Sequence, residues 1–269
     1  MSADSLSTWL ALRESADIAA RSAALTQAIA ARLPHNRPLR ILDLGSGTGS
    51  NVRYLSSRLP APQHWLVVDR DPDLLAQAPA PSATCHIETL CRNLGGPDDL
   101  ADPAFFAGRH LVTASALLDL VSDQWLRVLA GRCRTSGAAA LFTLNYNGRS
   151  QCTPAEAEDD AIRDRMNRHQ RTNDKGFGRA AGPDAVDCAE RWFAAAGYQV
   201  RRETSDWNLA PEQGELQRQL IEGWAQAAEE IAPEQTPMIR DWLERRLAHV
   251  EAGRSRVIVG HDDLAAWLP

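Results

Sequence analysis

The chain has 269 residues, enough for one large domain or two small ones with a substantial buried core, which excludes a peptide hormone or a disulfide-stapled mini-protein. Lys+Arg of 29 against Asp+Glu of 35 leaves a formal charge of −6, an acidic balance that argues against a protein held on nucleic acid by bulk charge. A hydrophobic content of 44% and a charged content of 24% are those of a folded soluble protein and unlike a disordered or collagen-like chain. The five cysteines, Cys85, Cys91, Cys133, Cys152 and Cys188, are odd in number and lack CxxC spacing, so neither a zinc knot nor a disulfide framework is expected and a reducing cytoplasm suits them. No basic stretch followed by an apolar run opens the chain, and nowhere do enough uncharged apolar residues follow one another to span a bilayer.

Residues 5 to 33 carry Leu10, Ile18, Leu25 and Ile29 at spacings that predict helices with one buried face, closed by Pro34 and Pro38. LRILDL at 39–44 is a short apolar run ended by glycines, as in a buried parallel strand. SNVRYLSSRL at 50–59 returns to helical period and HWLVVD at 64–69 is a second strand, completing a βαβ unit. The alternation continues through strands at 84–91, 110–115 and 138–145, with a helix at 122–133. Residues 148–184 are polar and rich in breakers and do not read as another crossover. A helix at 184–197, a strand at 198–206, two amphipathic helices within 211–251 separated near Pro233, and a final strand at 256–261 follow. The sum is a doubly wound α/β sheet.

The chemistry is concentrated in ILDLGSGTGSN at 41–51, which joins the first strand to the first helix of that unit. Glycines at 45, 47 and 49 allow a sharp turn against which a ligand can lie without a Cβ in the way. Asp43 places a carboxylate at the end of the strand, where it repels pyrophosphate but can pair with a cationic amino group. The nicotinamide pattern GxGxxG fails because Ser50 stands at the third glycine, and the Walker pattern fails because the only lysine, Lys175, is far away. Asp69, twenty residues beyond Gly49 at the end of the second strand, can accept both hydroxyls of a ribose, a feature that NAD sites share.

The acid-x-Gly-x-Gly-x-Gly turn, followed by Asp69, then by Asn93 and Leu94 after the third strand, and by Ser115 with ALLDLVS at 116–122 after the fourth, resembles the class I S-adenosylmethionine-dependent methyltransferases, closely over 39–147 and loosely to 269. The resemblance implies a seven-stranded, mostly parallel Rossmann-like sheet whose seventh strand is antiparallel, with helical lid insertions. It also implies one methyltransferase domain over 1–269, composed of a helical N-terminal cap (1–38), a cofactor-binding core (39–147) and substrate lids (148–184 and 211–251). By the same resemblance Gly45, Ser46 and Gly47 hold the methionine part of S-adenosylmethionine, Asp69 with Arg70 the ribose, and Asn93 and Leu94 the adenine. Arg21, or alternatively Arg13, would grip the methionine carboxylate.

The activity implied is methyl transfer to a small molecule, by preference to oxygen of an acidic or hydroxylated metabolite, with no nucleic acid, membrane or metal involved. Arg165, Arg168, His169, Arg171 and Lys175 lie together in 164–178, where a lid closing over the site would favour an anionic substrate. His169, which titrates near neutral pH, and Tyr146, just beyond the fifth strand, are the candidate catalytic residues. Three other functions fit parts of the pattern: a non-catalytic nucleoside-binding partner that keeps the fold, a protein or nucleic-acid methyltransferase, and a nicotinamide dehydrogenase.

Overall fold

The structure, a computed structural model, describes residues 3–95, 97–100, 102–172 and 174–269. Two helices, α1 (Ala3–Ala20) and α2 (Ala23–Ala30), precede the alternating unit of β1 (Leu39–Leu44), α3 (Ser50–Leu55), β2 (Gln63–Asp69), α4 (Pro72–Leu75) and β3 (Cys85–Cys91). Next come α5 (Pro103–Phe106), β4 (Leu111–Ser115), α6 (Asp123–Ser136) and β5 (Ala139–Thr153). The remainder is α7 (Asp159–Thr172), α8 (Ala185–Ala195), β6 (Gln199–Thr204), β7 (Trp207–Leu209), α9 (Gly214–Ile231), α10 (Thr236–Glu251) and β8 (Arg256–Trp267). The sheet runs β3-β2-β1-β4-β5-β8-β6, with β7 added alongside β8. Strands β1 to β5 are mutually parallel, and β8 is antiparallel to its neighbours β5, β6 and β7.

The period-two alternation of the parallel strands divides the core into two layers. Leu42, Leu44, Val112, Ala114, Ala140 and Phe142 pack with Trp125, Leu129 and Phe193 of α6 and α8. Leu39, Ile41, Trp65, Val67, Leu111 and Leu141 pack on the other face with Leu25, Ile29, Val52 and Leu55. Burying each side chain of this kind is worth about 1.5–3 kcal/mol, so β1, enclosed on both faces, is held firmly at the point where the glycine turn leaves it. Glycines 45, 47 and 49 all have left-handed backbones, with φ of +63°, +52° and +78°, which a side chain would strain. A third apolar cluster, including Leu144, Tyr146, Ile162, Met166, Trp224, Trp242 and Val259, lies between the outer part of the β5–β8 ribbon and helices α7, α9 and α10.

Three expectations from the sequence are corrected here. The sheet has eight strands, because the three-residue β7 pairs Trp207–Leu209 with Val259–Val257. Residues 148–153, expected to begin a lid, continue β5 as an antiparallel ribbon with Ser150–Thr153 opposite Val259–Arg256. The ribbon carries a bulge at Asn147-Gly148: the register shifts between Tyr146 and Ser150, and Gly148 takes φ +87°. Strand β8 likewise runs past the expected end, because Asp262 and Asp263 are buried and satisfied. Asp262 accepts from Arg202 at 2.6 Å and Asn147 at 3.0 Å; Asp263 accepts from the main-chain N–H of Ser22 at 2.8 Å and of Leu144 at 2.7 Å.

Helix α10 is locked to α7 by Arg246, whose side chain is fully buried and whose Nε donates to Asp159 Oδ1 at 3.0 Å. Trp242 Nε1 donates to the same oxygen at 2.8 Å. Removing one member of such a pair leaves a buried charge without compensation. Arg246→Ala is therefore expected to lower unfolding free energy by about 3–5 kcal/mol, read from the midpoint of urea unfolding at constant slope.

Candidate active site

At the carboxyl ends of β1, β2, β4 and β5 lies a chamber of about 860 Å³, walled by the glycine turn, Asp43, Asp69, Asn93, Ser115, Asp119, Tyr146 and His261 among others. Its volume is near the upper end of the roughly 300–1,000 Å³ usual for small-molecule sites. Leu6, Trp9, Leu10, Arg13 and Asp17 of α1 cover one side; Gln170 of α7 with Lys175 and Phe177 of the following loop cover another. That loop is seated against the segment after β3 so closely that a Cβ on Gly95 would lie 1.9 Å from the Gly176 carbonyl oxygen. Ala116 (φ +52°) and Leu144 (φ +57°), both on the wall, have left-handed backbones that cost such residues about 1–3 kcal/mol and are typical of functional sites.

On the glycine-turn side, the Gly47 main-chain N–H donates to Asp69 Oδ2 at 2.8 Å and that of Asp71 to Asp69 Oδ1 at 3.0 Å, so the carboxylate at the end of β2 is fixed facing the chamber. Asp43 is wholly buried; Asn51 donates to its Oδ1 at 2.7 Å, and its Oδ2 has no hydrogen-bond partner. Burial pushes the Asp43 carboxyl up to about 7, against the opposing effects of the Asn51 hydrogen bond and the Arg21 charge. Ser46, also on the wall, has a buried hydroxyl without a partner. Arg70, Asn93 and Leu94 line the far end; the Asn93 side chain accepts from the Gly95 N–H at 3.1 Å in an Asx turn, and Leu94 is buried.

Arg21 does not line the chamber. Its guanidinium lies over the Tyr54 ring, donates from Nη1 to Asn51 Oδ1 at 2.6 Å and from Nη2 to Ser115 Oγ at 2.9 Å, and so positions two residues that do. Arg13, the alternative, is on the wall, paired with Asp17 at 3.0 Å and stacked on Trp207.

Of the two candidate catalytic residues, Tyr146 is on the wall and His169 is not. The Tyr146 hydroxyl donates to Asn167 Oδ1 at 2.8 Å, and burial raises its pKa, which keeps the phenol protonated. His169 points to α9, with Nε2 2.8 Å from Glu230 Oε2. The reason is helical period: Asn167 and Gln170, three apart, share the inward face of α7, and the intervening His169 is turned away. The basic segment is dispersed in the same way. Arg171 is clamped by Asp184 at 2.7 and 3.0 Å, and among the described residues Lys175 is the member of that set which reaches the wall. Helices α9 and α10, expected as a lid, back α7 and contribute no residue to the wall.

Sequence reasoning missed Asp119, Gln170 and His261. Only Asp119 left a signal, as one acid inside the apolar run ALLDLV. All three have a buried polar atom without a partner: Asp119 Oδ1, Gln170 Oε1 and His261 Nδ1.

A scan against protein-family models finds no match, and a search of curated proteins finds none either. Solved structures do match. A cyclopropane-fatty-acyl-phospholipid synthase-like protein from Lactobacillus casei has 15% identity over 95% of this chain and 99% of its own, with a TM-score of 0.54. A protein described as a type II methyltransferase from Anaeromyxobacter dehalogenans has 15% identity over 91% of this chain and 96% of its own, with a TM-score of 0.53. The likeness is one of fold: this chain has the Rossmann-like architecture of the class I S-adenosylmethionine-dependent methyltransferases. No helix of the described residues is long and apolar enough to cross a membrane.

The raised Asp43 pKa gives a stability signature with a definite sign. The folded state holds this proton more tightly than the unfolded chain, so the contribution is fully present below about 4 and is lost as pH rises through about 7. Relative to wild type, Asp43→Asn is expected to gain about 2 kcal/mol between pH 5 and pH 8, measured by urea unfolding of the two proteins in parallel.

Proposed function

We propose that the protein is a methyltransferase that transfers the methyl group of S-adenosylmethionine to oxygen of a small hydroxylated molecule. The observation that carries this reading is the acidic lining of the glycine-turn side of the chamber: Asp43 and Asp69 both belong to its wall, and Arg21, held behind Asn51, does not. Such an end suits a cationic nucleoside and opposes a pyrophosphate. Asp69 would accept the ribose hydroxyls and Asn93 with Leu94 would hold the adenine. The turn of Gly45, Ser46 and Gly47, with Asp43 behind it, would hold the ammonium-bearing methionine part.

When bound, the cofactor supplies an activated methyl group on a sulfonium. The chain's own contribution is alignment and exclusion of water. Helix α1, Gln170 and the Lys175–Phe177 loop close the chamber from solvent, a lid narrower than 148–184 with 211–251. The hydroxylated option is preferred over the acidic one because, of the basic residues expected in the lid, Arg171 is engaged by Asp184 away from the wall, and Arg13 of α1 is engaged by Asp17. A reducing cytoplasm is the setting we propose, in keeping with five cysteines that are not bonded to one another.

Calorimetric titration of the full chain should show binding of S-adenosylmethionine and S-adenosylhomocysteine but not NADH. Asp69→Ala should weaken both by at least tenfold, or about 1.4 kcal/mol. Tritium from methyl-labelled cofactor should appear in a component of a metabolite extract. A folded protein that binds neither nucleoside, or binds NADH instead, overturns the reading; binding without any transfer would make it a non-catalytic partner.

A further inference from the structure

The chamber has a second end, and its chemistry differs from that of the glycine turn. Asp119 follows β4 in a single 3-10 turn (Leu118–Leu120) and is 9% exposed. Burial raises the pKa of its carboxyl against the opposing charge of Lys175, and its Oδ1 is buried without a partner. His261, on β8 and 5% exposed, stacks edge-on with Tyr146 and lies tilted against Trp207 at 5.0 Å. Burial, with the Arg13 charge adding to it, drives its pKa down to about 3, so the ring is neutral. Its Nδ1 is buried without a partner, a nitrogen that donates or accepts according to the tautomer a ligand selects. Gln170 adds an amide oxygen without a partner.

Asp119 and His261 thus flank Tyr146 on the wall, each with a buried polar atom that lacks a partner. A buried polar group left unmet costs about 1–3 kcal/mol, so the arrangement calls for a ligand that brings a hydrogen-bonding group. The charges there are balanced: Arg13 pairs with Asp17, and the Lys175 ammonium acts on Asp119. An anion would be set beside the Asp119 carboxyl. The surrounding wall is apolar, from Trp9, Leu120, Leu144 and Phe177.

We propose that Asp119 and His261 form the acceptor-binding end of the chamber and select an uncharged compound with an apolar body, whose hydroxyl donates its hydrogen to Asp119. The proposal rests on the methyl-transfer reading and names the substrate class of that site; as the O–CH3 bond formed and the sulfonium S–CH3 bond broke, the hydroxyl proton would pass to the Asp119 carboxylate and then to solvent, and the methyl ether, with no hydrogen left to donate to Asp119, would be released with S-adenosylhomocysteine.

The test uses phenol, its methyl ether anisole, and benzoate, titrated calorimetrically into the full chain with and without saturating S-adenosylhomocysteine. Phenol is expected to bind at least tenfold more tightly than either of the others. In Asp119→Asn that ratio should fall to threefold or less, with affinity for S-adenosylhomocysteine within twofold of wild type; His261→Phe, which keeps the ring volume, should lower the ratio independently and serves if Asp119→Asn does not fold. Equal binding of phenol and anisole by the wild-type protein, preference for benzoate, or a ratio unchanged in both variants overturns the proposal. Failure to bind S-adenosylhomocysteine would strike the cofactor reading separately, because the phenol-to-anisole ratio is also read in its absence.

Discussion

Asn51 is the joint on which the site depends. From the second position of α3 its amide donates to Asp43 on β1 and to Thr113 on β4 at 3.1 Å, while its oxygen accepts from Arg21 beyond the end of α1. One fully buried side chain thus ties two strands, the helix after the glycine turn and the amino-terminal cap into a network in which each member fixes the next. It also keeps apart two charges that would otherwise meet. Arg21 is occupied by Asn51 and Ser115, so Asp43 receives an amide in place of a guanidinium and retains one oxygen for whatever enters the chamber.

That separation gives the chamber its polarity. One end is carboxylate-rich and bounded by bare glycine backbone; the other is balanced in charge, mostly apolar, and set with buried polar atoms that lack a partner. The ends are carried by different parts of the fold. The first comes from the parallel strands and their turns, as in any doubly wound sheet. The second comes from the β5–β8 ribbon, the turn after β4 and the inward face of α7, and it is held in place by the packing of α9 and α10 behind it.

The first end was legible in the sequence and the second was not, for a physical reason. Glycines with obligatory left-handed backbone and acids at strand ends have fixed spacing along the chain, so Asp43, Gly45, Gly47 and Asp69 could be read in order. The other end draws Asp119 from the turn after β4, Gln170 from α7, and Tyr146 and His261 from strands far apart in sequence that meet because β8 lies beside β5. His169 had the right chemistry and the wrong helical phase. Arg21, expected to grip the methionine carboxylate, is instead engaged by Asn51 and Ser115 behind the wall. The bulge at Gly148 and the buried pair Asp262–Asp263 hid continuous strands behind turn-like residues, because the partners that satisfy them come from elsewhere in the chain.

The placement of β8 has a bearing on how the molecule is made. It comes after every other element in the chain, yet it occupies an interior position between β5 and β6, where it also supplies Asp263 to anchor Ser22 near the start. Until residues 256–267 have left the ribosome, β5 has an open edge and β6 has no neighbour. The sheet therefore closes only when β8 pairs, and any folding species that lacks it carries an unpaired edge on β5.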